Sequence, residues 1–286
     1  MYLTDFVFDG VKLSTLGYIV GSAVTSNNDS ASAGSKLDLQ TTTNRANNIT
    51  QIINAQYNEP ISVTFDIIKH ACNATAAHVV EDVEIPLIMQ WLNRTEYCRF
   101  YPIYDDLSLM DVYFNGTFTE INTIQLGGNV VGFTVTFNAN APYGFGDYED
   151  IEFTFDRNHG EYYYDQSTEF GFHYLDKVVF TLSQDDDIML RTSHTPSMPA
   201  DEVNTESITT GITRVYNCKE GEIITLDGVH KIITSNMNHP NLFNDFNYVF
   251  PRVKSTLKST MNTFYSTTRC SVKIIYHPIK KVGIVV

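Results

Sequence analysis

No two cysteines stand close together in this sequence: Cys72, Cys98, Cys218 and Cys270 are widely spaced and no C-x-x-C occurs. That spacing argues against a disulfide framework or a cysteine zinc cage and predicts buried free thiols. Basic residues are also scarce, with 19 Lys and Arg against 33 Asp and Glu, a net charge of −14 and a pI near 4.8. Duplex binding needs clustered cations to neutralise phosphates, so nucleic acid is a poor partner for this surface. No apolar run approaches the roughly 20 residues of a membrane-spanning helix, and the N-terminal Met-Tyr-Leu-Thr-Asp-Phe lacks the basic start and apolar stretch of a signal peptide. The expectation is a chain made and used as a soluble protein, without membrane insertion. On that expectation the N-x-S/T triplets at Asn28, Asn48, Asn73, Asn93 and Asn115 have no glycan to carry.

What the chain does hold is aromatic residues, 13% of the total and nearly all Phe and Tyr, beside 18% charged residues. This balance favours β structure over a helical bundle. The most informative stretch runs from Val131 to Asp147. Val131, Phe133, Val135, Phe137 and Ala139 alternate with Gly132, Thr134, Thr136, Asn138 and Asn140, which predicts a strand with one buried face and one wet or partner-facing face. Pro142 then removes a ladder donor, and Gly144 and Gly146 release the backbone. With 286 residues available, this exit reads as the seam between two β domains, residues 1–146 and 147–286.

Within the first domain, Phe6-Val7-Phe8, Asp9-Gly10 and Tyr18-Ile19-Val20 predict an early hairpin. Ser22 to Asn48 is rich in Ser, Asn, Asp, Thr and Ala and cannot form its own core, so it reads as a long excursion, either mobile or ordered only against a neighbour. Ile61, Val63, Phe65 and Ile67 resume the two-residue alternation. Pro86, with Leu87, Ile88, Trp91 and Leu92 at three- and four-residue spacing, predicts a short amphipathic helix over 85–93, burying the only tryptophan. Strands over 97–104 and 111–119 lead to a turn at Gly127-Gly128-Asn129. Beyond Asp147, strands at 151–155, 177–182, 208–216, 221–226, 231–234 and 270–276 predict a β-sandwich.

Residues able to carry chemistry do not converge in sequence. Asp185-Asp186-Asp187 lacks the spaced oxygens and turn glycine of a calcium loop and reads as a solvated acidic turn. His70, Cys72 and His78 lack paired zinc spacing and a fourth ligand. His159, His173, His194, His230, His239 and His277 are dispersed, with no G-x-S-x-G nucleophile turn beside any of them. A glycosidase pair drawn from 33 carboxylates would be arbitrary. The dense aromatic stretch of Tyr162, Tyr163, Tyr164, Phe170, Phe172 and Tyr174 is expected to fill a core or a subunit interface. The chain therefore reads as no enzyme, with no catalytic, cofactor-binding or metal-binding residue assigned and no cofactor.

Three N-terminal segments resemble a known family: Phe6-Val7-Phe8-Asp9-Gly10 with Leu16-Gly17-Tyr18, Trp91-Leu92-Asn93 through Cys98-Arg99-Phe100-Tyr101-Pro102, and Asn140-Ala141-Pro142-Tyr143-Gly144. So do Ile223-Ile224-Thr225-Leu226-Asp227-Gly228, Asn244-Asp245-Phe246-Asn247, Phe250-Pro251 and Cys270-Ser271-Val272-Lys273-Ile274 to Tyr276-His277-Pro278. Together they resemble the distal tail protein, Dit, of long-tailed siphophages, over essentially the whole chain. The resemblance implies a mainly β fold: a ring-forming N-terminal β domain (1–146) with one short helix and a belt-like loop (22–59), then a galectin-like β-sandwich (147–286), the last residues returning to the first domain as in some relatives. It implies a structural protein whose homo-hexameric ring joins the tail tube protein to the tail-tip hub and the receptor-binding protein, with DNA passing through an acidic lumen. Its place would be the distal end of the virion tail, after synthesis in the bacterial host cytoplasm. The alternative is a cell-wall carbohydrate-binding module, marked by an exposed aromatic platform between Tyr162 and Tyr174; a tail-associated hydrolase is a third reading.

Overall fold

The structure, a computed structural model, describes residues 2–21, 35–44, 49–70, 78–105, 111–195, 208–255 and 260–284. The chain forms two compact units, Met1–Phe145 with Lys281–Val286, and Gly146–Lys280. In chain order the first contains β1 (Leu3–Phe8), β2 (Val11–Lys12), β3 (Tyr18–Gly21), β4 (Leu37–Asn44), β5 (Ile49–Tyr57), β6 (Ser62–Lys69), α1 (Glu84–Leu92), β7 (Cys98–Tyr104), β8 (Val112–Leu126) and β9 (Asn129–Ala139), with β10 (Gly144–Gly146) at the unit boundary. Among the described residues no helix is long and apolar enough to cross a membrane.

The main sheet of the first unit runs β2-β1-β7-β8-β9-β6-β3 with antiparallel neighbours. The alternation in β9 is realised: Phe133, Val135, Phe137 and Ala139 are buried. On the opposite face Thr134 donates to Asp66 (2.6 Å), and the Thr136 and Thr64 hydroxyls lie 2.9 Å apart. Gly127 and Gly128, both at positive φ, form the two-residue turn between β8 and β9. α1 lies where its spacing placed it and buries Ile88, Trp91 and Leu92 in the core. Leu87 departs from that reading: it faces outward, because the buried stripe takes Ile85 in its place.

The expected early hairpin is only half right. Asp9 and Gly10 turn at positive φ, but the returning strand is Val11–Lys12, followed by a 3₁₀ turn at Leu13–Leu16. Tyr18–Gly21 instead pairs with β6 on the far side of the sheet. β8 outruns its expected end at 119, because β9 pairs with it as far as Leu126.

The second unit contains β11 (Glu149–Phe155), β12 (His159–Asp165), β13 (Gly171–Tyr174), β14 (Lys177–Leu182), β15 (Asp186–Thr195), β16 (Ile208–Cys218), β17 (Ile223–Asp227), β18 (Ile232–Ser235), α2 (Leu242–Asp245), β19 (Arg252–Ser255), β20 (Thr260–Ser266), β21 (Cys270–Tyr276) and β22 (Ile279–Lys280). One sheet runs β11-β21-β14-β17-β18 and another β12-β20-β15-β16. Val178, Phe180, Ile224, Val272 and Ile274 from the first share a core with Tyr163, Ile188, Leu190, Val215 and Phe264 from the second, the signature of a sandwich. β12, β13, β15, β19 and β20 were not anticipated.

Gly132 is required by close approach: a Cβ there would lie 2.3 Å from the Ile67 carbonyl oxygen of β6. Gly132→Ala should therefore destabilise the protein by about 1–3 kcal/mol, read as a lower urea midpoint; an unchanged midpoint contradicts this packing.

Candidate assembly interface

Polar composition gives β4 and β5 no means of building a core. Among the described residues they pair only with each other, from Leu37 opposite Tyr57 to Asn44 opposite Ile49, with a bulge near Gln40 and Thr41. The resulting ribbon is open to solvent on both faces. Leu37 and Leu39 are each 45% exposed, Ile49 55%, Ile52 61% and Ile53 69%. A lone two-stranded ribbon is marginal in water, and outward apolar side chains on both strands add a standing penalty that only a partner removes. Its base is anchored by the Asn58 amide donating to the Lys36 carbonyl (3.2 Å) and by the Lys281 ammonium 5.6 Å from the Tyr57 ring centroid.

A second apolar surface of this unit lies against α1. Val11, Leu16, Tyr18, Glu84, Leu87, Ile88 and Trp91 line a groove of about 300 Å³. The Trp91 indole donates to the Phe8 carbonyl (3.0 Å), which fixes the groove floor. The Tyr18 hydroxyl, inside the groove wall, is buried with no hydrogen-bond partner among the described residues; burial, aided by the Glu84 charge, pushes its pKa up. Glu84 is tied to the Lys69 ammonium and to the Glu81 amide. Burial alone would raise its carboxyl, and those two donors outweigh burial to hold it below the usual range.

Residues singled out in the sequence fall elsewhere. Cys72 lies outside the described residues, and the His78 Nδ1 sits 3.5 Å from the Lys69 carbonyl. Asp185 accepts from the Glu220 amide (2.8 Å) and the Lys219 ammonium (3.0 Å), so part of the acidic triplet braces a neighbouring turn. Of the aromatic stretch only Tyr163 enters the core. Tyr162, Tyr164, Phe170, Phe172 and Tyr174 point outward, so of the expected core or subunit interface they do not fill the core; strand alternation in β12 and β13 sets the direction of those on the strands. Lys231 lies 2.8 Å from the Tyr174 ring centroid, and Lys254 and Arg252 lie 4.4 and 5.2 Å from that of Phe172. Those covered ring faces are not free to stack on a sugar.

The structure also gathers Cys218, Glu222 and His239, a group that spacing did not reveal because its members come from a strand end, a turn and a loop. The His239 Nδ1 lies 2.8 Å from Glu222 Oε1, and its Nε2 lies 3.0 Å from Asp245 Oδ2. Burial opposes the imidazolium charge, but the two carboxylates prevail and raise the His239 pKa.

Residues 1–141 match the family described as phage tail protein N-terminal domain, and residues 143–276 match its companion, phage tail C-terminal domain. The chain belongs to this family of phage tail proteins. No curated protein matches the sequence. Among solved structures, the chain is similar to the SPP1 Dit protein, described as a paradigm of the hub adsorption apparatus in phages that infect Gram-positive bacteria. The identity is 10% and the TM-score 0.59, with 96% of this chain and 98% of that chain covered. It also aligns with a chain of the phage P2 baseplate in its activated conformation with Ca, at 8% identity and a TM-score of 0.43, covering 96% and 98%. The tail protein thus has the Dit fold: mainly β, with sheets in both units and a sandwich in the second.

Because the Glu84 value is depressed in the folded tail protein, its contribution to stability is present above the ordinary Glu value and is lost as pH falls through the folded one. The urea midpoint of the full chain should fall across that acid range, and Glu84→Gln should flatten the fall. An acid limb identical in the two proteins contradicts the role given to the Lys69–Glu84 pair.

Proposed function

We propose that this tail protein is a non-enzymatic structural component that closes into a ring of six copies, joining the tail tube protein above to the tail-tip hub and receptor-binding protein below. The ribbon of β4 and β5 carries the proposal. Ring closure by head-to-tail contact needs two different patches on one chain, each meeting its complement on the next copy. The ribbon and the α1 groove are two such patches in the first unit, both apolar and both uncovered among the described residues. Burying one Ile side chain contributes roughly 1.5–3 kcal/mol, so Ile49, Ile52 and Ile53 supply a large share of a stable contact.

In this reading residues 22–59 are a belt reaching the neighbouring subunit. Residues 1–146 surround the tail axis, and residues 147–286, read as a galectin-like sandwich, lie at the periphery. The net charge of −14 suits a lumen that repels passing DNA. The place of action is the distal end of the virion tail, following synthesis in the host cytoplasm. A cell-wall carbohydrate-binding role is the second reading, favoured by the outward Tyr162 and Tyr164; retention on host wall, abolished by Tyr162→Ala with Tyr164→Ala, would support it.

The test places charge on the ribbon. Ile52→Asp combined with Ile53→Asp should leave circular dichroism and the melting temperature unchanged, since both side chains are already solvated, yet abolish incorporation into tails in a complementation assay. Incorporation at the unsubstituted level would overturn the ribbon as the ring contact.

A further inference from the structure

From the convergence of sulfur, nitrogen and oxygen at one buried point, we propose that the second unit holds a zinc site formed by Cys218 Sγ, Glu222 Oε1 and His239 Nδ1, with Asp245 orienting the histidine from behind. The ligating atoms of Cys218, Glu222 and His239 all lie within 4.8 Å of one another. Cys218 and Glu222 are each 1% exposed, and the His239 side chain is 5% exposed. The spacing of these residues in the sequence pointed to no metal ligand.

The groups around these three residues have the arrangement a metal site needs. A ligating histidine usually donates its second ring N–H to a carboxylate, which fixes its tautomer and strengthens the ligating nitrogen. Here Nε2 faces Asp245 at 3.0 Å, and Asp245 is itself held by the Asn217 side-chain amide at 3.2 Å. That leaves Nδ1 pointing at Glu222. The carboxylate is fixed as well: its Oε2 accepts from the Lys219 amide (2.8 Å), and its Oε1 accepts from the Ser235 hydroxyl (2.6 Å). The Cys218 sulfur lies 3.6 and 3.8 Å from the Val215 and Tyr216 carbonyls and is also met by the Ile188 backbone amide. Zinc would replace these contacts with a direct bond to the thiolate.

The donor set selects the ion. A thiolate beside imidazole and carboxylate suits zinc, while calcium and magnesium take oxygen ligands. The ion would occupy the place of the proton now shared between His239 Nδ1 and Glu222. Binding releases that proton and the Cys218 thiol proton, giving a site with one thiolate, one neutral imidazole and one carboxylate. Three protein ligands leave the fourth tetrahedral position to a water. The ligands come from the end of β16, the turn before β17 and the loop after β18, with Asp245 at the end of α2, so the ion would staple three connections of the sandwich together.

The experiment uses the purified full chain, stripped with a chelator, kept reduced and titrated with Zn²⁺ alone. One equivalent per chain should bind and raise the melting temperature. Co²⁺ in place of Zn²⁺ should give a thiolate-to-cobalt charge-transfer band. Cys218→Ser should abolish that band, and Asp245→Asn should weaken zinc binding about 10- to 100-fold. No uptake in excess zinc, or cobalt uptake by the unsubstituted chain without the thiolate band, overturns the site, and neither result depends on a variant folding.

Discussion

The ring of Phe118 holds the first unit together. It sits 5.1 Å from Phe8, 5.3 Å from Phe137, 5.7 Å from Phe6 and 6.1 Å from Phe65 and Phe100. Those partners come from β1, β6, β7 and β9, so one side chain on β8 touches every strand of the sheet's interior. Phe6 then stacks on Trp91 at 5.7 Å and carries the contact to α1. Edge-to-face and offset pairs of this kind add to the apolar burial they accompany. The floor of the α1 groove depends on this cluster through Trp91, while Tyr18 in the groove wall packs 6.2 Å from Phe133 of β9.

A core so concentrated leaves the ribbon outside it. β4 and β5 satisfy each other's backbone groups and little else, and their side chains meet water on both faces. Within a single chain that arrangement is a cost with no return. Between copies it becomes useful, because a segment that orders its backbone in advance has less entropy to lose when a neighbour covers it. The ring proposal rests on this contrast between a saturated core and an unsaturated arm.

Much of the fold was legible because period-two alternation is a direct consequence of one-sided burial. Phe133, Val135 and Phe137 announced β9, and Val63, Phe65 and Ile67 announced β6. The three- and four-residue spacing of Ile88, Trp91 and Leu92 announced α1. Pairing between remote strands was not legible: nothing local in Tyr-Ile-Val-Gly says that Tyr18–Gly21 lies beside β6. β12 escaped because His-Gly-Glu-Tyr-Tyr-Tyr-Asp places three tyrosines in a row and hides which of them turns inward. The Cys218, Glu222 and His239 cluster escaped for a similar reason, since its members meet only after β16, β17 and β18 have folded. The arm was visible as a polar excursion, but its strand pairing was not, because Thr and Asn runs carry weak periodicity.

The account turns on ring formation, and a three-dimensional reconstruction of the assembled tail tip tests it most directly. It predicts six copies of this chain in a ring coaxial with the tail tube, β4 and β5 of each copy lying on its neighbour. The same chain found as a peripheral trimeric fibre or a receptor-binding tip would contradict it.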